Sequence, residues 1–348
     1  MTTRFHSYHC IIPPDILRNI AEKGNEEQRD EAYKALESSA QVRGHREAVG
    51  TFAALAAVPA GGKRRTVYDA KHSTTLPGKL VRGENDAASK DKTVNEAFLG
   101  SGKTYDFFNK VYERNSIDDR GMRLDSTVHY EVEYNNAFWD GRQMVYGDGD
   151  GQIFERFTVA LDVIAHELTH GVTQFEAGLV YRNQAGALNE SMSDVFGSLV
   201  KQYAKKQKAD KADWLIGKGL LAKNIKGVAL RSMKAPGTAY NDPLIGKDPQ
   251  PGHMKDFVKT TRDNGGVHIN SGIPNKAFYE VAMRIGGHAW EKAGRIWYLT
   301  LRDRLRPTSQ FQDCADLTLA VAKETYGATS TEAKAVQDGW EAVGIKVK

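Results

Sequence analysis

Apolar side chains recur at helical spacing in the second half of this 348-residue chain. Between residues 157 and 172 they form one stripe, which predicts a helix over residues 158–176 with Gly178 as its end. The same spacing predicts further helices over residues 188–206, 273–285, 288–305 and 311–326. Trp290, Trp297 and Tyr298 on the helix predicted at 288–305 are expected to be core residues rather than a partner surface.

The first half has a different pattern, in which β-branched and aromatic residues alternate with polar ones. Residues 65–69 and 125–134 are predicted strands, and the glycine-rich stretch 147–151 is a predicted loop. Residues 15–47 are charged and show helical spacing, whereas residues 48–62 are mostly small. This small-residue stretch is either a processing region or an ordinary interdomain connection. The expected class is α+β, with a β-rich lobe, a connecting helix and an α-helical lobe.

Composition excludes several classes of function. The net charge is only +4, so a nucleic-acid partner is not implied, and no apolar run is long enough to span a membrane. Cys10 and Cys314 are too few and too distant for a disulfide framework. The N-terminus has no apolar run of signal-peptide length. We therefore expect a cytoplasmic location by default, with export by a non-standard route as the alternative.

His166-Glu-Leu-Thr-His170 carries the clearest chemical signal. On a helix four residues turn about 400°, so the two imidazoles lie on one face and can bind one metal ion. Glu167, next to the first histidine, is placed to reach a water on that metal rather than the metal itself. The motif on its own also occurs by chance.

A catalytic zinc usually has three protein ligands and one open position. Glu190 is a candidate third ligand, because Gly178 and Gly186 allow the chain to reverse before a helix that begins near Leu188. Asp194 lies one turn later and is a candidate hydrogen-bond partner for a zinc-bound imidazole. Asn189, beside Glu190, is assigned to the same supporting role. Together these features make chance a poor explanation.

At this density of motifs, residues 64–348 resemble the thermolysin family of zinc endopeptidases. The resemblance rests on the HExxH helix and four other segments: Tyr134-Asn-Asn-Ala-Phe-Trp139 with residues 143–151, Gly186 to Asp194, Leu230-Arg-Ser-Met233, and Asp263 to Gly272. It implies the family's two-domain zincin fold, with the zinc site in the cleft between a β-rich N-terminal lobe (51–160) and an α-helical C-terminal lobe (161–348).

The resemblance also implies roles for single residues. His166, His170 and Glu190 would bind zinc, and Glu167 would be the general base. Tyr181 and His268 would donate hydrogen bonds to the oxyanion, with Asp263 holding the His268 ring. The substrate backbone would be bound by Asn136, Ala137 and Arg231. The pocket for the side chain after the scissile bond would be lined by Phe154, Val163 and Leu230. The implied substrates are peptides with a bulky apolar residue after that bond.

The chain departs from the family at its double calcium site. Asp162 and Asp213 match carboxylates of that site, but the other matching positions are Lys201, Leu215 and Lys218. Two lysines would repel calcium and could pair with the two aspartates instead. We therefore expect this double site to be absent, and whether any other calcium is bound stays open.

The N-terminal segment resembles the short propeptide of protealysin-like members, through Cys10-Ile-Ile-Pro-Pro-Asp-Ile-Leu17. Residues 1–50 are therefore a candidate inhibitory propeptide. Self-cleavage within residues 48–62 could occur at Ala48–Val49, Thr51–Phe52 or Ala54–Leu55. Pro13 and Pro14 favour an extended conformation that suits a cleft. Cys10 either approaches the zinc as a thiolate or is a buried apolar residue.

Two other functions remain as alternatives to an active peptidase. One is a zinc-stabilised peptide-binding protein without catalysis, against which the intact set of Glu167, Tyr181 and His268 argues. The other is a zinc hydrolase that does not act on peptides, against which residues 135–139 argue, since they suit an extended backbone. The expected partners are peptide substrates and the chain's own propeptide, and a monomer is expected.

Overall fold

The computed structural model describes residues 10–37 and 62–348. The first range is an N-terminal segment with two helices, α1 (Pro14–Lys23) and α2 (residues 26–37), which confirms the helical spacing there. The predicted connection at 48–62 falls almost wholly outside the described residues. The three candidate cleavage bonds also lie outside them.

A five-stranded mixed sheet forms the first lobe, with strand order β2-β1-β3-β5-β4. β1, β3 and β5 are mutually parallel, and the outer strands β2 and β4 are antiparallel to their neighbours. β4 is therefore an edge strand, whose free side can pair with another extended chain. The bounds are β1 (Arg65–Asp69), β2 (Lys79–Arg82), β3 (Leu124–Val128), β4 (Ala137–Trp139) and β5 (Met144–Tyr146).

One long helix in this lobe contradicts the expectation of strands and turns alone. Helix α3 (Lys92–Tyr112) has 21 residues and begins at Asp91, whose carboxylate accepts two backbone N–H bonds. Its interior glycines weaken the local helical signal. Both lie close to neighbouring side chains: a Cβ on Gly100 would lie 2.4 Å from Ile164 Cδ1, and one on Gly102 would lie 2.2 Å from Arg65 Nη1, so either side chain would have to shift.

The strand predicted over residues 125–134 is also too long, because β3 ends at Val128. His129, Glu131 and Glu133 all have positive φ values, which a strand cannot accommodate. Tyr130 and Tyr134 are nevertheless buried, whereas Val132 is exposed. Beyond Val128 the alternation therefore predicts neither the backbone conformation nor the burial of every apolar residue.

The second lobe is helical, as expected. α4 crosses from the sheet, where it contacts α3 and β4, and packs along α5. Gly197 permits the closest approach, since a Cβ there would lie 2.6 Å from the Asp162 carbonyl oxygen. The helices are α4 (Leu161–Phe175), α5 (Asn183–Lys205), α6 (Asp263–Asn270), α7 (Gly272–Ile285), α8 (Ala293–Leu299), α9 (Phe311–Tyr326) and α10 (Thr331–Glu341). The short hairpins β6 (Leu215–Ile216) with β7 (Arg231–Ser232), and β8 (Asn241–Asp242) with β9 (Gly246–Lys247), complete this lobe.

Several predicted boundaries need correction. α5 begins five residues before Leu188, and Gly186 lies inside it, so the chain reverses before Gly186, where Gly178 has a φ of +57°. The helix predicted at 288–305 is shorter: α8 is followed by one π-helical stretch, Thr300–Arg304. The C-terminal α10 had not been predicted. Trp290, Trp297 and Tyr298 are buried, which confirms them as core. No helix in the described ranges has the length and apolarity needed to cross a bilayer.

Candidate active site

The two histidines of the HExxH motif meet on the buried face of α4. Their spacing of four residues places His166 Nε2 3.0 Å from His170 Nε2, and both side chains are fully buried. Such a pair of imidazoles would be poorly stabilised without a shared partner, because burial removes water from both rings.

Each ring is oriented by a hydrogen bond at its other nitrogen. His166 Nδ1 lies 2.8 Å from an Asp194 carboxylate oxygen, and His170 Nδ1 lies 2.8 Å from Asn189 Oδ1. Ser193 Oγ is also 2.9 Å from His170 Nδ1. Because Asp194 and Asn189 Oδ1 can only accept, both Nδ1 atoms carry hydrogen and both Nε2 lone pairs point towards the shared centre.

Glu190 on α5 completes the ring of donors. Its carboxylate oxygens lie 3.5 Å from His166 Nε2 and 3.4 Å from His170 Nε2. Ligand atoms about 2.0–2.2 Å from a tetrahedral zinc are separated by about 3.3 Å, so these three side chains have the right spacing. Glu190 Oε2 is buried and has no hydrogen-bond partner among the described residues. A cation would supply that missing interaction, and the donor set therefore fits zinc.

Glu167 lies beside this centre and is held in place by a hydrogen bond from the β-sheet. The backbone N–H of Trp139 on β4 donates to Glu167 Oε2 over 3.1 Å. A carboxylate oxygen of Glu167 and a nitrogen of each histidine all lie within 4.8 Å of one another. The carboxylate is thus close to the centre but anchored to the edge strand. This position suits the predicted base, whereas Glu190 contacts both rings more closely.

Tyr181 and His268 converge on the same place from the second lobe. The Tyr181 hydroxyl donates to Glu190 and lies 3.0 Å from His268 Nε2. Asp263 accepts from His268 Nδ1 at 2.6 Å and from its backbone N–H at 2.8 Å. Gly265 and Gly266, with φ of +87° and +77°, allow the tight turn that brings Asp263 back to this ring.

The charges around His268 favour its protonated form in this structure. Burial, the largest influence, lowers the pKa of the imidazole, but the Glu190 and Asp263 carboxylates outweigh it and raise the pKa to about 9. Burial raises the pKa of Tyr181 well above its usual value, with Glu190 adding to the effect. Both side chains are therefore hydrogen-bond donors at neutral pH.

Asp194 also links the histidine to Arg231 on β7. The guanidinium donates twice to Asp194, at 2.8 Å each, and Asn275 Nδ2 donates to the same carboxylate at 2.8 Å. Burial alone would raise the pKa of Asp194, but Arg231 and His166 hold it well below its usual range. A permanently charged carboxylate therefore fixes His166 and Arg231 at once.

The N-terminal segment occupies the free side of β4. Cys10 forms an antiparallel bridge with Phe138, Ile11 N–H donates to the Ala137 carbonyl at 3.3 Å, and Ile12 N–H donates to Asn136 Oδ1 at 3.1 Å. Arg231 Nη1 donates to the Ile11 carbonyl at 3.0 Å. The groups predicted to bind a substrate backbone are therefore brought together, and residues 10–12 of the same chain are bound to them.

The remaining predicted groups are less sharply placed. Phe154, Val163 and Leu230 are buried members of the main apolar cluster, and their role in a side-chain pocket stays a prediction. Pro13 is extended, but Pro14 is the first residue of helix α1, so the prediction of an extended conformation is wrong for Pro14. Proline suits the first position of a helix, where its missing N–H is not needed. Cys10 is 7% exposed, and its carbonyl oxygen lies 3.0 Å from His268 Nε2.

Lys201 lies where the resemblance placed a calcium ligand. Its ammonium group is 2.8 Å from both Asp162 and Asp213 and also donates to the Leu215 carbonyl. Burial, the largest influence, lowers the pKa of Lys201, but the two carboxylates raise it above its usual value overall. Lys218 lies 3.9 Å from Asp213. The predicted lysine–aspartate pairing is therefore present.

Sequence reasoning missed several supporting groups. Trp139 N–H and Asn275 were not assigned to the site, nor was Gln250, which donates to the His268 carbonyl at 2.7 Å. Backbone donors and distant amides carry no spacing signal, so only the folded chain reveals them.

Comparisons with known proteins agree with this geometry. A family model described as thermolysin metallopeptidase, catalytic domain, matches residues 58–174, and its alpha-helical domain matches residues 177–345. The chain is 53% identical to an extracellular metalloprotease of Pectobacterium carotovorum subsp. carotovorum, over 97% of this chain and 96% of the relative. It is 49% identical to protease PrtS of Photorhabdus sp., over 100% of this chain and 95% of the relative.

A solved structure is equally similar. The precursor of protealysin, a metalloproteinase from Serratia proteamaculans, has a TM-score of 0.89 and 54% identity, covering 97% of this chain and 99% of that one. These findings correct one expectation. The default cytoplasmic location is wrong, since a relative 53% identical to this chain is named as an extracellular metalloprotease; the lack of a recognisable signal peptide is no evidence about export. By both domain matches and by its relatives, this chain belongs to the thermolysin family of metallopeptidases.

Proposed function

We propose that the protein is a zinc-dependent neutral endopeptidase made as a proenzyme, with His166, His170 and Glu190 as the zinc ligands. The observation that carries this proposal is the spacing of their donor atoms, 3.0–3.5 Å, around a buried and otherwise unsatisfied carboxylate oxygen. Asp194 and Asn189 fix the tautomers that such ligands need.

When bound, zinc polarises the scissile carbonyl and lowers the pKa of a water molecule towards neutral. Glu167 takes a proton from the attacking water and later delivers it to the leaving amine. The Trp139 N–H holds the carboxylate in position for both transfers. Because Trp139 belongs to the strand that binds the substrate, base and substrate share one rigid support.

Tyr181 and His268 meet the negative charge that develops on the carbonyl oxygen. His268 Nε2 already contacts a peptide carbonyl in this structure, that of Cys10, at 3.0 Å. Asp263 holds the ring from behind. Losing one such donor typically costs about 2.7–4 kcal/mol of transition-state stabilisation.

Substrates bind as an added strand on β4, with Asn136, Ala137 and Arg231 holding the backbone. Residues 10–12 support this assignment, because they make those same three contacts. Phe154, Val163 and Leu230 line the pocket that accepts a bulky apolar side chain after the scissile bond. Isoleucine, the residue at position 11, is of this kind and is fully buried.

Residues 1–50 act as an inhibitory propeptide that blocks the cleft until it is removed, followed by the lobes 51–160 and 161–348. The proposal is supported by the seat of Cys10, Ile11 and Ile12 on the edge strand, and by the precursor form of the similar protealysin structure. Pro13 and Pro14 connect this extended stretch directly to α1.

The double calcium site of the family is absent, because Lys201 supplies the positive charge between Asp162 and Asp213. The support is the buried ammonium group with both carboxylates at 2.8 Å. A second cation in the same space would face a charge of its own sign.

Cleavage mapping tests this proposed function. After the propeptide is removed, the protein is incubated with a peptide library, and the products are sequenced with and without a zinc chelator. We expect cuts before bulky apolar residues that stop with chelator and resume when zinc is restored. Peptide cleavage that is indifferent to chelation would contradict the zinc mechanism, and the absence of any cleavage after propeptide removal would contradict the peptidase.

A further inference from the structure

The stretch from Cys10 to Ile12 is bound with the polarity and register of a substrate. It runs antiparallel to β4, and each backbone contact has a separate partner on the lobes. Ile11 N–H donates to the Ala137 carbonyl, and the Ile11 carbonyl accepts from Arg231. These contacts therefore fix the register of the segment on β4 as well as its direction.

One peptide bond lies between the two kinds of contact. Before it, the Cys10 carbonyl oxygen is 3.0 Å from His268 Nε2, and Tyr181 Oη is 3.0 Å from the same nitrogen. After it, the Ile11 nitrogen is held by β4. The carbonyl of the Cys10–Ile11 bond thus faces the oxyanion donors, while its amide nitrogen faces the substrate strand.

From this register we infer that the Cys10–Ile11 bond is itself a cleavage site, so that the propeptide is a slow substrate rather than an inert plug. The inference rests on the proposed peptidase function. The residue after the bond is a buried isoleucine, which matches the proposed preference for a bulky apolar side chain at that position.

The reaction is an ordinary hydrolysis. One water molecule adds across the bond: its hydroxyl joins the Cys10 carbonyl carbon, and the C–N bond to Ile11 breaks. Glu167 carries a proton from the water to the Ile11 nitrogen. The products are a chain that ends in the Cys10 carboxylate and a chain that begins with the free amine of Ile11.

The structure also explains why such a cut would not release activity at once. The new Ile11 amine stays tethered to α1, which is anchored by the buried side chains of Ile16, Leu17 and Ile20. Asn19 Nδ2 adds a hydrogen bond to the Ile245 carbonyl at 3.2 Å. Reacting groups held side by side can have effective molarities of about 10⁵–10⁸ M, so resynthesis of the bond competes with escape.

Water enriched in the heavy oxygen isotope tests this directly. The freshly purified full-length protein is incubated in it, denatured at intervals and analysed by tandem mass spectrometry. We expect heavy oxygen in the Cys10 carbonyl of the intact chain, together with a fraction of chains that begin at Ile11. Both signals should rise at a rate independent of protein concentration, because the bond and the site belong to one molecule.

Three variants sharpen the result. Ile11→Asp places a charge at a fully buried position and should reduce both signals at least 100-fold, whereas Ile11→Val, the matched control, should keep them. Glu167→Gln should abolish both. Once its propeptide has been removed, the Ile11→Asp protein should still cut an added peptide, which would show that its active site is intact.

The possible outcomes separate the two proposals. A protein that cuts added peptides, yet neither exchanges the Cys10 oxygen nor yields a chain starting at Ile11, overturns the register argument. Exchange at a neighbouring carbonyl overturns it too. A protein that cuts no peptide at all, with the propeptide removed, overturns the proposed function instead.

Discussion

Lys201 offers the sharpest test of how the chain stabilises the junction of helices α4 and α5. It lies on α5, is 5% exposed, and its ammonium group is 2.8 Å from Asp162 on α4. Asp162 is 1% exposed, so Lys201→Met leaves a buried carboxylate without its cation. Breaking a buried pair from one side typically costs about 3–5 kcal/mol. Asp213, which is more exposed, can be rehydrated and adds little.

A second substitution at the same position converts the site. Lys201→Glu places a third carboxylate beside Asp162 and Asp213. It also lies next to the Leu215 carbonyl, which accepts a hydrogen bond from Lys201 in the parent protein. Four oxygen-bearing groups of this kind suit calcium. In chelator we expect Lys201→Glu to be at least as unstable as Lys201→Met. At a calcium concentration 100 times its dissociation constant, it should regain about 2.7 kcal/mol.

Urea unfolding measures both effects, in a Glu167→Gln background that prevents self-digestion. Lys205 lies exposed on the same helix, so Lys205→Glu and Lys205→Met are the matched controls for Lys201→Glu and Lys201→Met. We expect both controls to stay within about 0.5 kcal/mol of the parent. If Lys201→Met also stayed there, or if calcium stabilised the parent as much as Lys201→Glu, the reasoning would be wrong.

Two further predictions concern single side chains. Cys10→Ser should stay latent, because the backbone contacts of residues 10–12 with His268, Ala137 and Arg231 do not depend on the sulfur; a serine variant that is active on purification would show that the thiol blocks the site. A hydrogen bond to Asp148, opposed by burial and assisted by Asp91, raises the pKa of His129 to about 9. The protonated imidazole of His129 stabilises the fold fully below the unfolded-state pKa of about 6.5, and this stabilisation is lost as the pH rises through 9. His129→Gln should therefore be less stable than the parent by about 1–2 kcal/mol at pH 6, after allowance for solvent screening. Urea unfolding of both proteins should show this gap closing above pH 9; a gap that does not depend on pH would exclude the ion pairs as its cause.

Much of the site could be predicted because its geometry is local. The four-residue spacing of His166 and His170 fixes one helix face, and Glu190 follows on the next helix along the chain. The supporting groups are different. Trp139 acts through a backbone N–H and Asn275 lies 81 residues from Asp194, so neither leaves a pattern in the sequence.

The fold shows the same division. The helix at residues 311–326 was predicted to the residue, since its apolar stripe is regular and Gly327 ends it. Helix α3 is not predicted because Gly100 and Gly102, which weaken a local helical signal, lie inside it, close to the side chains of Ile164 and Arg65. The strand predicted at 125–134 is too long because the alternating sequence continues past Val128, where His129, Glu131 and Glu133 adopt positive φ. Tertiary packing decided both cases.

The central claim is that Glu190 binds zinc while Glu167 moves protons. The most direct measurement is the zinc content of purified Glu190→Gln and Glu167→Gln, with peptide hydrolysis followed on the same samples. We predict that Glu190→Gln loses most of its zinc, whereas Glu167→Gln keeps a full complement and yet loses activity by about 10²–10⁴-fold. Full zinc in Glu190→Gln, or undiminished hydrolysis by Glu167→Gln, would contradict the account.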